Sequence, residues 1–356
     1  MKVIFRHIKK QNRQIAKLSL VALTLILIVS GKNCHAQLRG NHILGNNGLH
    51  AGTQSSPSLS FSVPFYWYDA TKLINSKGEV INRFPNTTVF MTGINASIVT
   101  NIKILNANYG ASVLVSFMSN RIESDIMQLE IPFGFTDMYV QPVQLGWHIK
   151  KADFTAGYGV YVPTGKYKFG ERDNRGLGMW GHEISGGATW YLNSKKTFNF
   201  SSLASYETHS YKKDTTMKTG DLFTAEGGIA KTFLKKIPHA SKPMELNIGM
   251  IYYLQLKVTD DELPPGSRVY SIAKDHVYAG GIEGNAIFPK ASTSLSFRWL
   301  GELAARNRFQ GSTFLITLKQ PLWSSHNKEE IKTNTYPVRH SVKPPQGPNT
   351  KRNSYD

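Results

Sequence analysis

Four sets of side chains in this 356-residue chain have the composition for chemistry, and each points to a different kind. Gly176-Leu177-Gly178-Met179-Trp180-Gly181 has the Gly-x-Gly-x-x-Gly spacing in which backbone amides close on a pyrophosphate. That use needs a strand before it, a helix after it and a strand-helix-strand unit around it, and the flanking sequence offers no such unit. A flexible loop accounts for these glycines. His182, His209 and His276 could serve as general bases beside a serine on a barrel wall, but no Gly-x-Ser-x-Gly elbow or neighbouring serine motif singles one out. Asp260-Asp261-Glu262 and Asp214 fall in polar connections, where they read as solvated charge or a weak divalent-ion site. We expect no enzyme activity, no catalytic metal and no cofactor.

The fourth set carries more information. Asp137, Glu183, Glu207, Glu245, Arg298 and Glu302, with Asn199, Asn247 and Gln255, fall inside segments patterned as strands. Glu183, Glu207, Glu245, Arg298 and Glu302 occupy the face opposite the apolar stripe, while Asp137 shares its side with Phe133, Phe135 and Tyr139. An Arg or Lys facing lipid near the bilayer midplane costs about 2–4 kcal/mol, and Asp or Glu somewhat less. These polar residues are therefore expected to line a lumen, where carboxylates and an arginine either form a hydrogen-bonded plug or select what passes.

The elements that would position them are strands. From Leu105 to Phe117 apolar residues take every second place, so one face is apolar and the other small and polar. The pattern recurs in Leu59–Trp67, Phe154–Val162, His182–Leu192, Phe198–Tyr206, Phe223–Phe233, Met244–Leu256, Thr293–Leu303 and the closing segment Ser312–Trp323. It is weaker in Phe90–Ile98, Phe133–Trp147 and Val277–Phe288. The connections alternate: Asp69–Thr88, Ser119–Ile131, Thr164–Gly181, His209–Gly220 and Lys257–Asp275 are long, whereas Asn101–Ile104, His148–Asp153, Asn193–Thr197, Leu234–Pro243 and Pro289–Ser292 are short. Long extracellular loops and short periplasmic turns are the signature of an all-β, antiparallel transmembrane β-barrel, here of about 12 strands. A soluble two-sheet sandwich has no reason to alternate in this way or to end on an aromatic strand. Trp67, Trp147, Trp190, Tyr191 and Trp299, near strand ends, suit interfacial girdles.

Residues 1–36 read as a signal peptide. Lys2, Arg6, Lys9, Lys10, Arg13 and Lys17 precede the apolar run Leu18–Val29, and cleavage is expected after Ala36. The apolar run is too short to span a bilayer as a helix, and no later stretch is apolar enough to try. Cleavage removes Cys34, the only cysteine, so the mature barrel has neither disulfide nor thiol. It also removes seven Lys/Arg, leaving 35 basic against 24 acidic residues. Much of that excess lies in short turns such as Lys150-Lys151, without the basic, aromatic face that nucleic acid needs, and no nucleic-acid partner is expected. The barrel occupies 37–323 with an N-terminal arm at 37–57. From Asn46 to Pro57 the arm is poor in bulky apolar residues and is either a partial plug or a disordered lead-in. Residues 324–356, almost without apolar residues, read as a disordered tail.

From Gly134 onward the chain resembles the family named for the meta-pathway of phenol degradation, a group of predicted outer-membrane transporters for hydrophobic and aromatic compounds. The resemblance rests on an ordered series: Gly134-Phe135-Thr136-Asp137 with Pro142, Leu145-Gly146-Trp147, Pro163-Thr164-Gly165 with Tyr167, Asn174 with Gly176 and Trp180, Thr219-Gly220-Asp221, and Tyr253 with Gln255 and Asp260. It covers most of Leu59–Trp323; the region before Thr88 matches less well. The resemblance implies an outer-membrane channel in a Gram-negative bacterium, passing small hydrophobic or aromatic solutes by diffusion. Gating is expected from the third and fifth outer loops and the arm. Outer-membrane lipid and the barrel-assembly machinery are the expected partners. A structural or adhesive barrel with a closed lumen is the alternative, and a barrel lipid hydrolase a more distant one.

Overall fold

The computed structural model describes residues 39–81, 86–124, 127–240, 243–264, 274–289 and 293–324. The expected leader, its cleavage site and the tail from residue 325 lie outside them. The strand segments in chain order are β1 Ser58–Ile74, β2 Asn86–Ile104, β3 Ala107–Ser124, β4 Met127–Phe135, β5 Met138–His148, β6 Ala152–Val162, β7 Gly181–Tyr191, β8 Phe198–His209, β9 Leu222–Lys235, β10 Met244–Lys257, β11 His276–Phe288, β12 Thr293–Arg306 and β13 Arg308–Ser324. Apart from β4 and β5, sequential neighbours pair antiparallel, and β1 pairs with β13, which closes the ring. Segments β4 and β5 both lie against β3 as two halves of one barrel strand, interrupted at Thr136-Asp137. The wall is thus a closed twelve-strand barrel.

Side-chain alternation decides which residues face out. On β10, Ile248 and Met250 are exposed on the outer surface, while Asn247, Ile251, Tyr253 and Gln255 are buried inside. The outer surface carries a band of exposed Phe, Ile, Leu and Trp, which in water would be an aggregation surface and in lipid is simply solvated. An aromatic row runs in register from Trp299 through Phe314 and Trp67 to Phe90. The apolar core is small and lies within the lumen, where Leu44 and Leu49 of the arm pack with Ile251, Tyr253, Val277 and Leu300.

Barrel height is uneven. Strands β1, β2, β3 and β13 have 17 to 19 residues, whereas β5, β6 and β7 have 11. A tilted strand crosses a bilayer in about 9–11 residues, so the β13-β1-β2-β3 side rises well above the outer interface. This overturns the expectation of a long loop at Ser119–Ile131: β3 and β4 pair up to Ser124↔Met127, a tall hairpin. The long-short alternation also fails at β12–β13, joined on the outer side through Asn307 in the left-handed region (φ 52°). The turn expected at Asn101–Ile104 sits at Leu105-Asn106, both with positive φ, as a primed two-residue turn requires. Tyr191 does not join an outer girdle; its hydroxyl bonds the buried Asp153.

Candidate functional site

The arm occupies the lumen, and barrel carboxylates hold it there. Glu207 on β8 accepts the backbone N–H groups of Asn41 (2.7 Å) and His42 (3.2 Å). Glu226 on β9 accepts those of Gly45 (2.6 Å) and Asn47 (3.0 Å), together with the Asn47 side-chain amide at 2.9 Å. Glu283 on β11 accepts from Leu49 N–H at 3.0 Å. Glu183 on β7 meets the His42 ring at 2.6 Å and accepts from Tyr139 and Tyr161. Arg298 on β12 completes the clamp: it pairs with Glu283 at 2.9 Å and donates to the carbonyls of Gly45 and Asn46. Towards the periplasm, Thr53 donates to Asp153 and Gln54 to the Gln144 carbonyl.

Each half of this arrangement needs the other. A buried carboxylate without donors is costly, and so is an irregular segment whose amides find no acceptor. Local sequence permits the fit: Gly45 adopts φ 81°, and Gly146 on β5 leaves room for Gln54, whose Oε1 would lie 2.4 Å from any Cβ added there. His42 sits between Glu183 and Glu226, its Nε2 3.6 Å from the latter. Burial opposes its positive charge, but the two carboxylates outweigh burial and hold its pKa well above the ordinary imidazole value.

The other polar strand residues are distributed as follows. Glu302 accepts from Tyr68, Tyr253 and the Gly311 N–H. Gln255 bridges Thr224 and Arg308, and Asn247 accepts from Thr232. Asn199 is fully buried, with neither amide atom hydrogen-bonded among the described residues. Glu245 is half-buried near the periplasmic start of β10. Asp137 does something else: from the break between β4 and β5 it accepts the N–H groups of Gly165 (2.9 Å) and Leu177 (2.7 Å), drawing the third outer loop down onto the barrel. Thr136 helps by donating to the Arg175 carbonyl.

Above the arm lies a cavity of about 350 Å³. Residues 39–44 form its floor, Val89, Met91, Leu114, Met118 and Ile131 form an apolar wall, and Tyr66, Tyr68, Tyr139, Tyr161 and Tyr253 line it as well. Residues 174–177 of the third outer loop close one side.

Several motif residues turn out to be pins for loops and turns. The Gly220 N–H donates to Asp261 and the Asp221 N–H to Thr259; Thr164 receives the Met138 N–H, and the Trp180 N–H goes to Ser210. The Pro142 carbonyl accepts from Tyr109, and the Trp147 indole donates to the Leu105 carbonyl. Two expectations change here. The glycine-rich stretch is pinned, with Met179 buried, and Asp261 is a buried partner of Lys257 (2.9 Å) instead of a solvated charge. His182 bonds Tyr158, and His209 bonds Glu207 and the Thr219 carbonyl.

The family described as "Putative MetA-pathway of phenol degradation" matches residues 73–318. The chain belongs to this phenol-degradation family. No functionally curated protein matches the chain. Among solved structures, an outer-membrane channel from Pseudomonas putida F1 is similar with a TM-score of 0.62 at 10% identity, over 79% of this chain and 100% of that one. The β domain of the Bordetella autotransporter BrkA follows at 0.43 and 10% identity, over 74% and 99%. A loop-deleted OmpT, an outer-membrane protein of Vibrio cholerae, scores 0.30 at 6% identity, over 76% and 100%. The first of these shows that this family member has an outer-membrane barrel fold.

Two residues central to the clamp escaped the sequence reading. Glu226 and Glu283 carried a usable signal, since each stands on the face opposite an apolar stripe: Phe223, Ala225 and Ile229 for one, Tyr278 and Ile282 for the other.

Proposed function

We propose that this chain is an outer-membrane channel of a Gram-negative bacterium through which small hydrophobic or aromatic solutes diffuse passively, with the N-terminal arm as its gate. The observation that carries this reading is the cavity in the outer half of the lumen, of a size typical of small-molecule sites, walled by aliphatic and tyrosine side chains and floored by the arm. Family membership supports it. In this reading the exposed apolar band is solvated by outer-membrane lipid, and the aromatic closing strand that ends at Ser324 suits delivery by the barrel-assembly machinery. A solute reaches the cavity from outside, is desolvated there, and passes only when the arm shifts.

The packed lower lumen favours a second reading, a structural or adhesive barrel that stays shut. One experiment separates the two: uptake of 1-naphthol into vesicles whose outer leaflet is lipopolysaccharide. The channel reading expects the protein to accelerate uptake and Met118→Trp, which fills the cavity, to abolish the gain. Uptake equal to that of protein-free vesicles sinks the channel and leaves the closed barrel.

A further inference from the structure

Two guanidinium groups, those of Arg39 and Arg308, line the outer cavity. Arg39, at the top of the arm, stands over the Phe309 ring with its guanidinium carbon 5.6 Å from the centroid, and its side chain is open to the cavity. It forms no ion pair among the described residues. Arg308, at the start of β13, is buried; its Nη1 donates to Gln255 at 3.1 Å and lies 3.6 Å from Asp275, while its Nε has no acceptor among the described residues. Desolvation inside the barrel and the nearby positive charge of Arg308 both lower the Arg39 pKa.

The neighbouring carboxylates are already engaged. Glu302 accepts from Tyr68, Tyr253 and the Gly311 N–H, and Asp275 is shared between Arg308 and Lys257. Asp137, also in the lining, is committed to two loop amides, and Arg175 donates to the Pro132 carbonyl. An anion set between two guanidinium groups relieves their repulsion and receives charge-assisted hydrogen bonds, with the planar geometry that suits a carboxylate. The wall of Val89, Met91, Leu114, Met118 and Ile131 is left to cover an apolar body.

We propose that the cavity binds amphipathic monocarboxylates, with the carboxylate towards Arg39 and Arg308 and an aromatic ring or short aliphatic chain against the apolar wall. The proposal rests on the solute-channel reading above and narrows its substrate class. The test uses the full mature barrel in detergent and fluorine NMR titration with para-fluorobenzoate and its neutral counterpart para-fluorobenzyl alcohol. The acid binds more tightly than the alcohol; Arg39→Gln lowers the acid-to-alcohol affinity ratio about tenfold, and Arg39→Lys restores part of it. Lys77→Gln, an exposed cation elsewhere, leaves the ratio as it was, and heat-modifiable gel migration shows that each variant is folded. An acid no tighter than the alcohol, or a ratio that Arg39→Gln does not change, overturns the proposal while leaving the channel reading in place. If neither probe binds the wild type, the solute cavity itself falls and takes this proposal with it.

Discussion

Replacing Glu226 with Gln should free the arm while leaving the barrel standing. The carboxylate takes three donors from the arm, Gly45 N–H, Asn47 N–H and the Asn47 side-chain amide, and its Oε2 faces His42. A glutamine keeps one oxygen for Gly45 but turns an NH₂ group towards Asn47 and His42, where donor meets donor. Hydrogen bonds to a charged group contribute about 1.5–3 kcal/mol each. Losing the two to Asn47 is then worth at least about 3 kcal/mol, roughly a hundredfold in the docked-to-released equilibrium. Because the mature chain lacks cysteine once Cys34 is cleaved away, a single reporter can be placed at Leu49→Cys, a fully buried position of the arm. Labelling by a membrane-impermeant maleimide then reports release. With the barrel still folded by gel migration, the Glu226→Gln background should label about a hundred times faster, and planar-bilayer recordings should show larger and more frequent openings. Labelling within threefold of the parent would mean that packing of Leu44 and the remaining arm contacts, not the Glu226 carboxylate, hold the arm, and the reasoning would fail.

Two further outcomes follow from the same geometry. The charge of His42, whose pKa is raised, favours docking below the ordinary imidazole value near about 6.5 and stops doing so as pH climbs through the raised value. His50, whose pKa burial lowers, acts oppositely, favouring docking above about 6.5 and opposing it as pH falls. The groups facing His42 are Glu183 and Glu226, with Glu207 on its backbone, and Tyr139 and Tyr161 donate to Glu183. Leu49→Cys labelling, normalised to an exposed Ser76→Cys, should therefore rise at alkaline pH, and a second change, His42→Gln, should flatten that rise; an unchanged profile refutes the assignment. Asp137→Asn removes an acceptor from Gly165 or Leu177 and should loosen the third outer loop by about 1.5–3 kcal/mol. Trypsin should then cut sooner at Lys166, Lys168 and Arg172, and equal cutting rates would show that the loop is held otherwise.

The wall was legible because lipid imposes a two-residue period on every strand that crosses it. That period gave β6, β7, β9 and β10 nearly to the residue. Where a strand leaves the bilayer, both faces meet water and the period fades. The upper halves of β3 and β4, with Asn120, Arg121, Glu123, Gln128 and Glu130, therefore read as a loop although they form a paired hairpin. The arm was illegible for a different reason. Its order comes from carboxylates 100 to 234 positions away along the chain, so nothing within residues 39–57 announces that they will be bound.

Strand charges were legible only up to the same boundary. A charged residue in a lipid-crossing strand must turn inwards, and Glu183, Glu207, Arg298 and Glu302 do so, but inward orientation says nothing about what meets the charge there. In this barrel each is met by an arm amide, a histidine, a backbone carbonyl or a tyrosine. Glu183, Glu207, Glu226 and Glu283, which look like the lining of a cation pore, are bound to the arm while it is docked. In the channel reading proposed above, their charge becomes available to a permeating ion only after the arm leaves, so selectivity would belong to the released state and cannot be read from a tally of wall charges in the docked one.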